Sequence, residues 1–345
     1  MIRLNKAFYL IGSGLLLTAA FIYLSPSFVS SSLVFPVRYD SLYIVYRSGL
    51  SGNEDPGQGA EFNPADLSLG YSEFTVVGGD SCLLHGWFVA ADDTSSDRSL
   101  LLLHDINKSK ISLLESIRQF HDRGFNVFTY DLRAHGRSGG KEFSLGLKSI
   151  RDLDAVIRTL RFNGYHRIAV MGTGLSCPVV YMYLLSGGTC DAVILESPFN
   201  NLAAYLHRHA ETEWGGFASL WYPVLERQIS EQLQMPVYQL DLRAISAMTK
   251  TPTLVVAGTA DELVNVAESY EVYENCAAPQ KDLLLVKQAR HGELAARGGE
   301  YYYNGISSFV NTVMPRRQKS SGRKRLALSD DLQGNDRPHP RDRTH

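Results

Sequence analysis

The stretch VMGTGLSCPV, residues 170–179, puts two nucleophile types, Ser176 and Cys177, just after a glycine-rich turn centred on Gly174. Far downstream, Asp261 lies near the end of the run TLVVAGTADELV and His291 lies in KQARHGE. A serine hydroxyl attacks a carbonyl only when a base within hydrogen-bond reach takes its proton, and an imidazole base needs a carboxylate to fix its tautomer. Asp261 and His291 supply that second half. The first half is irregular, because the centre of the turn carries no side chain.

These residues need elements that bring them to one place. The runs at 99–104, 126–132, 167–172, 191–197, 251–258 and 281–286 are apolar nearly throughout, as buried parallel strands are. Residues 73–77 and 82–90 read as an antiparallel opening pair joined by the turn at 78–81. Helical patterns fall at 111–123, 147–162, 178–185 and 266–275. This βαβ alternation predicts an α/β fold, a mostly parallel central sheet with helices on both faces. An insertion over about residues 199–248, carrying Trp214, Phe217, Trp221 and Tyr222, reads equally as a lid over the sheet edge or as a helical pair completing the core.

In the order elbow, acid, histidine, the marks fit the chain order of the α/β-hydrolase fold. The segments FNPADLSLGYSEFTVVGGDSCLLHGWFVA, YDLRAHGRSGG, ESPF, GTADELV and RHGE resemble membrane-anchored α/β-hydrolases of the BEM46 and ABHD13 type, over roughly residues 62–313. The resemblance implies Asp261 as the acid and His291 as the base, and a structural role for the Asp131 to Ser138 segment. Two positions depart from it. Gly174 stands where those proteins carry the nucleophilic serine, and Asp105 follows His104 where they carry glycine. A carboxylate there opposes the negative charge that an oxyanion hole of amides near Asp105, Ile106 and Leu175 stabilises.

Three readings of Gly174-Leu175-Ser176 follow. In the first, the fold is retained and the covalent chemistry lost, leaving a protein that binds a small acyl or lipid-like ligand or a protein partner. In the second, the elbow slides by two residues, Ser176 attacks, and the Cys177 amide helps bind the oxyanion. Without the slide, Ser176 points about 200° around the helix axis from Gly174, away from His291. Cys177 as nucleophile is a weaker variant. The third is a dinucleotide fingerprint, G-x-G-x-x-C with Glu196 about 20 residues on, lacking its third glycine.

Composition and charge bound the rest. A formal net charge of −2 gives no electrostatic case for nucleic-acid binding. No H-E-x-x-H, P-loop or C-x-x-C is present, so neither metal nor cofactor is implied. Cys82, Cys177, Cys190 and Cys276 are scattered; a Cys177–Cys190 bridge is open, buried thiols being the commoner state.

After Arg3 and Lys6, residues 7–24 are uncharged and apolar. That is close to the ~20 residues of a membrane-spanning helix. The basic flank places the N-terminus in the cytoplasm and the domain on the other side. Cleavage as a signal peptide, leaving a secreted protein, is the competing reading. The expected organisation is an anchor at 1–30, a linker at 31–66, a hydrolase domain at 67–315 and a disordered basic tail at 316–345.

Overall fold

Eight strands form one sheet in the order β1-β2-β4-β3-β5-β6-β7-β8, antiparallel only where β2 meets β1 and β4. The computed structural model describes residues 12–21, 62–143 and 145–316, apart from the side chains of residues 212–214, 217, 220, 221 and 232. The strands are β1 (Ser72–Val77), β2 (Leu83–Val89), β3 (Arg98–Leu103), β4 (Asn126–Tyr130), β5 (Arg167–Thr173), β6 (Ala192–Glu196), β7 (Thr253–Gly258) and β8 (Lys281–Val286).

Period-two alternation explains why the central strands are apolar on both faces. Leu101 and Leu103 of β3 join one core cluster while Leu100 and Leu102 join the other. The first cluster is closed by α2 (Leu147–Phe162), α3 (Cys177–Leu185) and α7 (Val266–Asn275); the second by α1 (Leu114–Asp122) and α8 (Leu294–Val313). Each of the four sequence-expected helices is present. The twenty-residue α8 was not anticipated, because Gly298, Gly299 and Gly305 break its pattern; Gly299 has φ +47° inside it.

The insertion forms α4 (Leu202–Trp214), α5 (Ala218–Leu233) and α6 (Leu242–Ser246). Asn201 starts α4 by accepting from the Ala203 and Ala204 amides, and Asp241 caps α6 in the same way. Tyr205, Leu206, Ala210, Leu225 and Ile229 are buried in the first core cluster, so this helical pair completes the core. Of the expected aromatic cluster, Tyr222 donates to the Ala203 carbonyl at 2.9 Å; the Trp214, Phe217 and Trp221 side chains lie outside the described residues.

Within the N-terminal apolar run, residues 12–21 are helical, and among the described residues no helix is long and apolar enough to cross a membrane. The rest of that run, most of the expected linker and nearly all of the tail lie outside the described residues. All four cysteines are free thiols, so the Cys177–Cys190 bridge does not form.

Candidate active site

The parallel strands β3, β5, β7 and β8 end on the same side of the sheet, and the loops leaving them carry Asp105, Gly174, Asp261 and His291. Such an edge is where open α/β sheets bind ligands. The loop after β4 braces this edge. Asp131 accepts the Lys110 ammonium and the amides of Lys110 and Arg137. Gly136, at φ +42°, has no room for a side chain against that carboxylate. Arg133 forks onto Asp152 at 2.8 and 2.9 Å. The segment is structural, as its pattern suggested.

His104 and His135 are also structural. His104 Nε2 accepts the Leu132 amide at 2.9 Å, which leaves Nδ1–H to donate to the Asp105 carbonyl at 2.7 Å. His135 Nε2 accepts from Asn107 at 3.2 Å, and burial lowers it to about 3. Both rings are therefore neutral, and they fix the backbone on either side of Asp105.

Asp261 is held by the amides of Leu263 and Val264 on Oδ1, and its Oδ2 faces His291 Nδ1 at 2.9 Å. The structure thus joins the two residues that the sequence paired. It does not bring Ser176 to them. Gly174 is the apex of the turn, at φ +55°, and Ser176 is fully buried one turn later. The Ser176 hydroxyl accepts the Thr173 amide at 2.7 Å and turns its proton toward the Thr173 and Leu103 carbonyls at 2.9 and 3.3 Å. The elbow has not slid, because that hydroxyl is consumed in stitching the turn to the sheet. Cys177 is no better placed: its thiol lies against the Gly172 and Glu196 carbonyls, burial raises it well above the usual thiol range, and its amide bonds Gly174. Its amide is therefore not an oxyanion donor.

What fills the centre is Asp105. A Cβ on Gly174 would lie 2.4 Å from Asp105 Oδ2, so the carboxylate occupies the space of the absent nucleophile. Its Oδ1 accepts the amides of Leu175 and Ile106, each at 2.8 Å. Two convergent amides from the elbow and from the β3 loop are the donor pair of an oxyanion hole, and here a carboxylate from the same chain is their acceptor. These amides, together with Asp105's own negative charge, also leave no place for a diphosphate at the turn, which removes the basis of the dinucleotide reading.

His291 bridges the two acids, its Nε2 3.4 Å from Asp105 Oδ2. Burial works against its charge, but the hydrogen bonds and charges of Asp105 and Asp261 raise it to about 10. Burial likewise works against Asp105's charge, and His291 still holds that carboxyl below its ordinary value. The resting site is an imidazolium between two carboxylates. Below it lies a cavity of about 70 Å³ lined by Asp105, Lys108, Thr173, Glu196 and Tyr302 among others. Tyr302 donates to the buried Glu196 carboxyl, which burial raises above the ordinary carboxylate range. Lys108 and Tyr302 were not singled out as site residues, and Glu196 only as the acid of the dinucleotide reading, since nothing in their local sequence announces that a loop, a strand end and a helix converge.

Two expected outcomes follow. The folded pKa of His291, about 10, exceeds its ordinary 6.5, so its stabilisation is complete below pH 6.5 and is lost as pH rises through about 10. Asp105 has the opposite sign: its contribution is present above its ordinary 3.8 and lost as pH falls through its lowered value. Denaturation across pH should show His291→Gln flattening the loss between pH 6.5 and 10 relative to wild type. Ser176→Ala should cost about 1–3 kcal/mol in chemical denaturation, because a buried Thr173 amide loses its acceptor.

Comparison with known proteins agrees with this fold. The family described as serine aminopeptidase, S33 (Hydrolase_4) matches residues 94–239. An uncharacterised membrane protein of Saccharomyces cerevisiae is 24% identical over 253 residues, covering 72% of this chain and 82% of its own. The α/β-hydrolase domain-containing protein WAV2 of Arabidopsis thaliana is 25% identical over 270 residues, covering 74% and 83%. Among solved structures, an esterase of Pyrococcus furiosus superposes with a TM-score of 0.61 at 24% identity, over 75% of this chain and 97% of the esterase.

Proposed function

The chain belongs to the α/β-hydrolase superfamily, and from that premise we propose that it is a membrane-anchored member which has given up serine acyl transfer and uses its site to hold a ligand or partner. The observation that carries this reading is Asp105, whose carboxylate takes both the nucleophile's space and the oxyanion donors. A carbonyl substrate finds no hydroxyl, no free donor pair and no neutral base. The ligand meets Asp105 and Lys108 in the cavity at the strand ends.

Anchoring rests on the apolar run at residues 7–24 behind Arg3 and Lys6, and on a relative named as a membrane protein. The orientation places the N-terminus in the cytoplasm and the domain outside it.

A fluorophosphonate probe applied to the full chain tests the chemistry. Wild type and Ser176→Ala should both stay unlabelled while an active esterase in the same sample labels fully. Wild-type labelling that disappears in Ser176→Ala would show a working serine hydrolase instead. Carbonate washing of membranes, followed by N-terminal sequencing, tests the anchor: the chain should remain in the pellet with its first residues intact, and a mature start near residue 30 would replace anchoring with secretion.

A further inference from the structure

We propose that the edge of the sheet where the parallel strands begin, opposite the candidate site, rests on an anionic lipid bilayer. The inference rests on the anchoring part of the reading above and adds to it a docking face and an orientation of the site.

Three helices on one face of the sheet run to this edge. α2, α3 and α6 bury residues in the first core cluster, with α3 packed between α2 and α6. They lead into β5, β6 and β7, which are neighbours in the sheet. At or just past each helix end, a large apolar side chain stands in solvent: Phe162 is 91% exposed, Leu185 39% and Met248 69%. The topology thus gathers into one row three residues that lie far apart in the sequence. Contiguous exposed apolar side chains mark an interaction surface. Arg161, His166 and Lys250 flank the row, and the Asp191 carboxylate there accepts the Ile168 amide at 2.8 Å.

The paths of the chain into the sheet and out of the domain identify the partner. β1 is antiparallel to β2, and β2 to β4, so β1 starts on the same edge as the parallel strands. The chain coming from the apolar run at residues 7–24 therefore enters the sheet there. At the other end, the Pro315 carbonyl accepts Arg167, the first residue of β5, at 2.9 Å. The C-terminal segment thus leaves the domain close to Phe162. It carries Arg316, Arg317, Lys319, Arg323, Lys324 and Arg325, with no acid before Asp330. The carboxylates beside its start are matched, Asp97 with Arg167 at 2.7 Å and Asp93 with Arg316 at 3.4 Å. Apolar tips set among cations suit a lipid interface: the tips enter the acyl boundary and the cations meet the phosphates. A tether from the same bilayer raises the effective concentration of that surface.

The edge that carries the candidate site also exposes Val77, Leu83 and Leu147, but the chain neither enters the sheet nor leaves the domain there. With the strand-start edge on the bilayer, the cavity holding Asp105 and Lys108 lies on the far side, and its ligand arrives from water.

The test places tryptophan at the two ends of α2, which lie ~24 Å apart along its axis. Phe162→Trp and Leu147→Trp, both at exposed positions, are made in the full chain and reconstituted into phosphatidylcholine vesicles with ~30% phosphatidylglycerol and brominated acyl chains, which quench emission. After subtraction of the wild-type signal, Phe162→Trp emission should fall at least ~2-fold and shift to the blue, and Leu147→Trp emission should do neither. Omitting phosphatidylglycerol, or adding Lys250→Glu, should each weaken the quenching of Phe162→Trp. Quenching of Leu147→Trp equal to or above that of Phe162→Trp, or of neither in a chain that survives a carbonate wash, overturns the proposal and leaves the anchor standing. A blue shift of Phe162→Trp that persists in detergent without bromine quenching puts a second copy of the chain on this edge and also overturns it. A chain that carbonate releases, but that floats with the anionic vesicles at low salt with Phe162→Trp quenched, supports this inference and removes the anchor. A chain that is released and does not float loses both.

Discussion

Gly174→Ser alone should leave the protein unlabelled by a fluorophosphonate, whereas Gly174→Ser combined with Asp105→Gly should label at a rate at least ~10³-fold above wild type. The single change restores the hydroxyl but drives its Cβ to 2.4 Å from Asp105 Oδ2, and the donor amides remain taken. It also asks a side chain to adopt φ +55°, at a cost of about 1–3 kcal/mol. Removing the Asp105 side chain frees the space and both amides at once. It also takes away one of the carboxylates that keep His291 charged, so the ring paired with Asp261 becomes available as a base. Time courses of probe labelling on the three variants measure this. A labelled single variant would mean that Asp105 swings aside readily; an unlabelled double variant would mean that the donor pair is not an oxyanion hole.

Lys110→Met should cost about 3–5 kcal/mol of folding stability, because it strands Asp131 without its cation in a site from which water is excluded. The two side chains are 3% and 1% exposed, and the ammonium also lies 4.7 Å from the centre of the Trp87 ring. Burial works against the Asp131 charge, and the Lys110 ammonium is the leading influence that holds its carboxyl below the ordinary value. Methionine keeps the length and the contact with Trp87, so the loss isolates the charge. Adding Asp131→Asn should recover part of it by removing the uncompensated anion. Urea denaturation of the two single variants and the double variant closes the cycle. Additive losses would show that the ion pair is not the coupling element beneath the site.

The elements were legible where one physical signal dominated. Continuous apolar runs bounded by turn residues marked β3 to β7, since a strand covered on both faces has no polar side to display. The helix at Leu147–Phe162 was legible to its ends from its amphipathic repeat. The helix at Leu294–Val313 was not, because its glycines and its Tyr301-Tyr302-Tyr303 run obscure the repeat; only its docking on the sheet buries Tyr302, Ile306 and Val310 on one side. Tertiary burial, rather than helix propensity, holds it.

The sequence by itself determined the α/β order, the pairing of Asp261 with His291 and the absence of a side chain at Gly174, because each follows from residue type and from where strands end. Asp105 was visible there as a carboxylate misplaced beside an oxyanion hole. Only the tertiary structure decided what it does, by laying the end of β3 against the turn after β5, some seventy residues away, so that Oδ1 meets the Leu175 amide and Oδ2 fills the vacancy at Gly174. The fate of Ser176 was decided in the same way, since a hydroxyl three residues past a strand end is a nucleophile or a stitch according to which groups the turn brings to it. Spacing fixes which residues share an edge of the sheet; distances of a few ångströms, set by packing across strands, fix which of them touch.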